Sequence, residues 1–165
     1  VARILVVGGG CRGRELARTL TGEGHSVRIT TRSPELREQI EQAGAECWQG
    51  TPERLATMRG ALDGVTIACW LLAGARGPSQ ELQELHTRRL EFFLTQTIDT
   101  TVRGFVYESH GSTPAAGALA AGEQIARRMC ARNAIPLAVL QADAVEGAAW
   151  QQQARSAIED LLIGR

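Results

Sequence analysis

Close to the start of the chain stands Gly8-Gly9-Gly10-Cys11-Arg12-Gly13, which contains the spacing Gly8-x-Gly10-x-x-Gly13. A short apolar run over residues 3–7 precedes it. Leu16, Ala17 and Leu20 follow at helical spacing over residues 12–22. A buried strand therefore feeds a glycine turn that opens a helix. In that setting each glycine permits what a side chain would prevent. Gly8 allows a tight turn, Gly10 lets the backbone approach a ligand, and Gly13 lets the helix pack closely on its strand. Around Cys11 and Arg12, unpaired first-turn amides and the positive end of the helix dipole favour a phosphate. A glycine-rich turn that binds nothing is the plain alternative.

The end of the second β-rich run, residues 26–31, bears on which phosphate compound fits. An Asp or Glu about 20 positions past the glycines would accept hydrogen bonds from the ribose 2′-hydroxyl of NAD. This chain has Thr30-Thr31-Arg32-Ser33 there and no carboxylate. The Arg32 guanidinium, flanked by the hydroxyls of Thr31 and Ser33, suits a 2′-phosphate, and Arg12 offers a second cation. The expected ligand is a dinucleotide, with NADP(H) favoured over NAD(H). Arg32 as a solvated loop residue is the competing reading.

Other residues could touch the ligand or do chemistry beside it. Trp70, Leu71 and Leu72 end the most apolar run, 65–72, where they would pack on adenine or ribose, or simply fill the core. Ser109-His110-Gly111-Ser112-Thr113 follows the fifth apolar run, 104–108. His110 could give a proton to a small-molecule substrate, with Ser109 or Ser112 hydrogen-bonding its carbonyl oxygen. Alternatively, Ser112 or Thr113 caps a helix beginning at Pro114 and His110 is merely solvated. Glu108, two positions before His110, could orient it. Asp143 and Glu146 reach the same sheet end without an evident partner. His25, on a remote turn, and His86, on a polar helix face, read as inert. No Gly-x-Ser-x-Gly elbow supports a hydrolase.

Positioning these groups requires the elements between them. Strand and helix signals alternate along the whole chain. Ser33-Pro34 starts a helix reaching about residue 43, and 45–49 is a third strand. Thr51-Pro52 starts a helix to about residue 62, and 65–72 is the fourth strand. A long helix over 79–97 leads to strand 104–108, a helix over 114–132, strand 137–140 and a closing helix over 147–162. The pattern predicts an α/β fold: a single doubly wound domain over 1–165, with about six parallel strands and helices on both faces. No separate substrate domain is expected.

Composition narrows the field further. The chain has 165 residues, 44% hydrophobic and 22% charged, with zero formal net charge. No cationic excess exists to neutralise a nucleic-acid backbone, so no nucleic-acid partner is expected. Apolar runs fall far short of the roughly 20 residues of a membrane helix, and no signal-like segment opens the chain, so a cytoplasmic protein is expected. All 18 basic residues are arginine, which removes every lysine-dependent mechanism. Cys11, Cys47, Cys69 and Cys130 are too dispersed for a metal set, and Cys47 and Cys69 read as core residues.

With these residues in view, the chain resembles the atypical short-chain dehydrogenase/reductases, including NmrA-like and epimerase-like Rossmann proteins. The similarity lies in residues 4–13, Gly24-His25-Ser26-Val27, Thr31-Arg32-Ser33-Pro34, Leu62-Asp63-Gly64-Val65 and Gly104-Phe105-Val106-Tyr107-Glu108-Ser109. The resemblance implies a serine near the nicotinamide after the fifth strand. It also implies a Tyr-x-x-x-Lys pair on the next helix, which this chain lacks, since its one tyrosine is Tyr107, in the strand. Three functions follow as expectations: an NADP(H)-dependent oxidoreductase of atypical type, a non-catalytic NADP(H)-binding sensor or partner-binding module, or a structural relic that uses the fold without a ligand. A second subunit, in a homodimer, could complete the exposed substrate side.

Overall fold

The computed structural model describes residues 1–164. Its centre is a sheet of six strands, all parallel: β1 (Arg3–Gly8), β2 (Ser26–Thr31), β3 (Glu46–Gln49), β4 (Ile67–Leu71), β5 (Gly104–Glu108) and β6 (Leu137–Leu140). The spatial order is β3-β2-β1-β4-β5-β6. The chain moves outward from β1 to β3, then returns to lay β4 on the other side of β1. That reversal leaves a crevice beyond the carboxyl ends of β1 and β4, where open α/β sheets bind ligands. The single α/β domain and parallel doubly wound sheet expected from the strand–helix alternation are thus present.

Apolar residues fill both faces of the sheet because its strands are covered twice. Ile4, Val6, Ile29, Cys69 and Val106 pack against α1 (Gly10–Gly22), α2 (Arg37–Gln42) and α6 (Gly147–Leu162). Leu5, Val7, Trp70, Phe105 and Tyr107 pack against α3 (Ser79–Glu84), α4 (Leu90–Thr97) and α5 (Ala118–Arg132). Among the described residues no helix is long and apolar enough to cross a membrane.

Several local expectations are corrected. Residues 51–62 form two 3-10 turns, Leu55–Thr57 and Gly60–Leu62, and no α-helix. Thr57 diverts the backbone: its hydroxyl donates to the Arg54 carbonyl at 2.6 Å and accepts the Thr51 amide at 2.9 Å. The helix after Ser33-Pro34 begins as a 3-10 turn over Pro34–Leu36, and Ser33 does not cap it. The long helix over 79–97 is interrupted by a π-helical turn, Leu85–Arg89, between α3 and α4. Neither Ser112 nor Thr113 caps α5, which starts at Ala118 after Gly117 in a left-handed conformation (φ 76°).

Candidate functional site

A cavity of about 700 Å³ runs along the carboxyl edge of the sheet, from the end of β2 across the glycine turn to the loop after β4. The turn makes its floor. Gly8, Gly9 and Gly10 all have positive φ (82°, 89° and 55°), which L side chains rarely adopt. A Cβ on Gly13 would lie 3.1 Å from the Gly8 carbonyl, and one on Gly9 would lie 2.9 Å from the Gly13 Cα. Those two glycines press the turn against α1. Gly10 differs: a Cβ there would meet nothing within 4 Å, so its backbone faces open space.

The amino end of α1 has no side-chain cap and no acidic residue in its first turn. Gly13 donates to the Gly9 carbonyl at 3.0 Å, so the amides of Gly10, Cys11 and Arg12 precede the first intrahelical bond. Cys11 is exposed, and its sulfur accepts a hydrogen bond from Arg14 at 3.1 Å. The free amides, the helix dipole and the empty space at Gly10 together form a cradle that an oxyanion fits.

At the far end of the groove, Thr31 accepts the Ser33 amide at 3.1 Å in a side-chain turn. Arg32 is 67% exposed, and its guanidinium stands 3.8 Å from the Glu53 carboxylate. Glu53 also lines the groove. Residues 30–33 contain no acid, but the β3–β4 connection brings one to the same place.

Arg12 points elsewhere. Its guanidinium lies 3.6 Å from Glu108 and 5.0 Å from the centre of the Trp150 ring, while its carbonyl accepts from Gln151 at 2.9 Å. Glu108 is wholly buried at the end of β5. It accepts the Ala73 amide at 3.0 Å and the Trp150 indole N–H at 2.8 Å. A buried carboxylate is tolerable here because two N–H donors and a guanidinium surround it. Glu108 thus ties the glycine turn to the loop after β4 and to α6, and it does not orient His110.

The three candidates ending β4 separate. Leu71 and Leu72 line the groove, and the Leu71 carbonyl accepts the Gly9 amide at 2.8 Å. Trp70 turns away: it is fully buried beneath the sheet, its ring 5.1 Å from that of Phe93. Core packing accounts for Trp70, because alternation along β4 puts it on the face opposite Leu71.

A smaller cavity of about 370 Å³ adjoins the groove. His110, Ser112, Arg12 and Asp143 meet there, with His110 Nε2 3.8 Å from the Asp143 carboxylate. Asp143 therefore has a partner. Ser109 lies outside this cluster, its hydroxyl donating to the Leu140 carbonyl at 3.4 Å. Among the described residues, no three His, Cys, Asp or Glu side chains converge to hold a metal.

His86, expected to be inert on a polar helix face, is fully buried. Its Nδ1 lies 2.9 Å from the Tyr107 hydroxyl, and its Nε2 lies 3.1 Å from the Leu72 carbonyl. A carbonyl can only accept, so Nε2 carries the proton and Nδ1 accepts from Tyr107. Burial lowers the His86 pKa and raises that of Tyr107. Alternation along β5, which turns Tyr107 toward the 79–97 segment, was the available signal.

Residues 3–55 match the family described as Pyridine nucleotide-disulphide oxidoreductase, a stretch holding β1, the glycine turn and Arg32. No curated protein matches the sequence. Solved structures share the fold. UDP-glucose 4-epimerase from Thermotoga maritima, with UDP-glucose, superposes with a TM-score of 0.71 at 17% identity over 84% of this chain and 54% of its own. UDP-glucuronic acid 4-epimerase from Bacillus cereus, in complex with NAD, gives 0.66 at 15% identity over 86% and 56%. BdcA (YjgI) from E. coli gives 0.68 at 13% identity over 94% and 89%. The chain spans about half the length of both epimerases. At these identities the likeness is one of fold, a Rossmann-type α/β domain.

Proposed function

We propose that the chain binds a pyridine dinucleotide along the groove, prefers NADP(H) to NAD(H), and acts as an oxidoreductase resembling the atypical short-chain dehydrogenase/reductases, without a Tyr-x-x-x-Lys pair. The observation that carries this reading is the open space at Gly10 beside three free amides and an acid-free helix terminus. The family match over residues 3–55 supports it. Gly8, Gly10, Cys11, Arg12 and Gly13 would hold the pyrophosphate side, Leu71 and Leu72 the adjoining apolar wall, and Thr31, Arg32 and Ser33 the adenosine end. When bound, the dinucleotide supplies two-electron redox chemistry. His110 would hold the proton for a substrate oxygen and Ser112 would orient that oxygen. Ser109 shapes the loop through its bond to Leu140.

A non-catalytic sensor or partner-binding module is the second reading. It is favoured by the exposure of both His110 and Ser112 on a loop. Thermal unfolding with each coenzyme tests the binding claim. At about 100 times its dissociation constant a ligand adds roughly 2.7 kcal/mol, so NADPH should raise Tm more than NADH. Equal shifts defeat the preference, and no shift with either defeats the binding. NADPH oxidation with carbonyl compounds or quinones, lost in His110→Ala, separates enzyme from sensor.

A further inference from the structure

We propose that the smaller cavity beside Arg12 is a subsite for a small neutral compound carrying a carbonyl next to a hydroxyl group. This rests on the reading of the adjoining groove as a dinucleotide site, which makes the cavity the place where a second reactant would lie. Arg12, Gly74 and Ser112 line both spaces, so groove and cavity are continuous. Gly74 keeps their junction open: a Cβ there would come 3.6 Å from the Arg12 guanidinium and 4.0 Å from the Ser112 hydroxyl.

Charge selects the ligand class. The positive charge of Arg12 is matched by buried Glu108 at 3.6 Å, and His110 faces the Asp143 carboxylate at 3.8 Å. Among the residues lining the cavity, that leaves no unmatched cation for a carboxylate or phosphate. A neutral ligand meets no such mismatch. The hydrogen-bonding groups are mixed. Arg12, Ser112 and His110 can donate to a carbonyl oxygen, while Asp143 can accept from a neighbouring hydroxyl. Ala144 and Val145 form the apolar side of the same cavity. Arg12 is held in advance by Glu108 and by the Trp150 ring beneath it, so little ordering cost falls on binding.

The test is a resonance titration of the isotope-labelled chain with dihydroxyacetone and, separately, with glycolate, each with and without NADP⁺. Dihydroxyacetone should shift the Gly74 and Ser112 amides and the His110 ring saturably. Ser112→Ala and Asp143→Asn, both at exposed positions, should each weaken that binding about five- to tenfold. Tighter binding of glycolate at these resonances, or dihydroxyacetone binding untouched by either substitution, overturns the proposal. Absence of any dihydroxyacetone shift while NADP⁺ still shifts Gly10 and Arg32 overturns it and leaves the dinucleotide reading standing. Dihydroxyacetone shifts with no NADP⁺ response give the reverse result, and silence at both places overturns both.

Discussion

The hydroxyl of Tyr107 donates to Nδ1 of His86 across 2.9 Å, and both side chains are closed off from solvent. Through Nε2, His86 then reaches the Leu72 carbonyl at the rim of the groove. The π-helical turn that carries His86 is thereby fastened both to β5 and to the chain bordering the candidate site.

Removing this donor should cost stability. Tyr107→Phe leaves a buried imidazole nitrogen unpaired, which is expected to lower the unfolding free energy by about 1–3 kcal/mol. Gly122→Ala should cost a similar amount, roughly 1–3 kcal/mol, by overpacking. A Cβ at that position would collide with the Tyr107 hydroxyl and come 2.8 Å from the His86 carbonyl. Urea denaturation with an unchanged m-value is the measurement, and two variants as stable as the parent would contradict the packing described.

The same histidine sets a pH dependence. Burial lowers the His86 pKa from its ordinary 6.5, so the unfolded chain takes up a proton that the folded chain refuses. Its contribution is complete above that value and is lost as pH falls through it toward the folded pKa. Unfolding free energy measured from about pH 7.5 down to pH 5 should therefore decline, and His86→Gln should decline less steeply. Parallel curves would show that His86 is not the titrating group.

Coenzyme choice should turn on Arg32 and Glu53, which face each other at 3.8 Å. Arg32→Asp should weaken NADPH about five- to tenfold and leave NADH nearly unchanged, because the 2′-phosphate loses its charged partner. Glu53→Gln should act oppositely, tightening NADPH by releasing the guanidinium. Calorimetric titration of both coenzymes against both variants decides this. If Glu53→Gln instead weakens NADH most, Glu53 is holding a ribose hydroxyl.

Thiol chemistry gives an independent view of the glycine turn. Cys11 is exposed, whereas burial pushes Cys69 up to about 12 and Cys130 up to about 11. Since the thiolate is the reacting species, an alkylating reagent at neutral pH should modify Cys11 first and leave Cys69 and Cys130 intact. NADP⁺ should slow the modification of Cys11, followed by peptide mass spectrometry. An unprotected Cys11 in a chain that binds NADP⁺ would put the pyrophosphate elsewhere.

The alternation of elements, the parallel sheet and the glycine turn were legible in the amino-acid order, because each depends on neighbours a few positions apart. Apolar runs such as 3–7 and 65–72 declare buried strands by composition alone, and Gly8, Gly10 and Gly13 declare a turn by spacing. The misread helix over 51–62 shows the limit of that logic: Thr57 hydroxyl bonds, unseen in any hydrophobic period, divert the backbone.

Side-chain partnerships lay beyond it. Whether Arg12 meets a phosphate or Glu108, whether His86 is wet or buried, and which acid faces Arg32 or His110 depend on segments far apart in sequence. A parallel sheet delivers the ends of distant strands to one edge, and alternation then decides which face each side chain takes. Local order wrote the scaffold and its glycine turn. The charge pairing around that turn was decided only when the sheet brought those distant strand ends together.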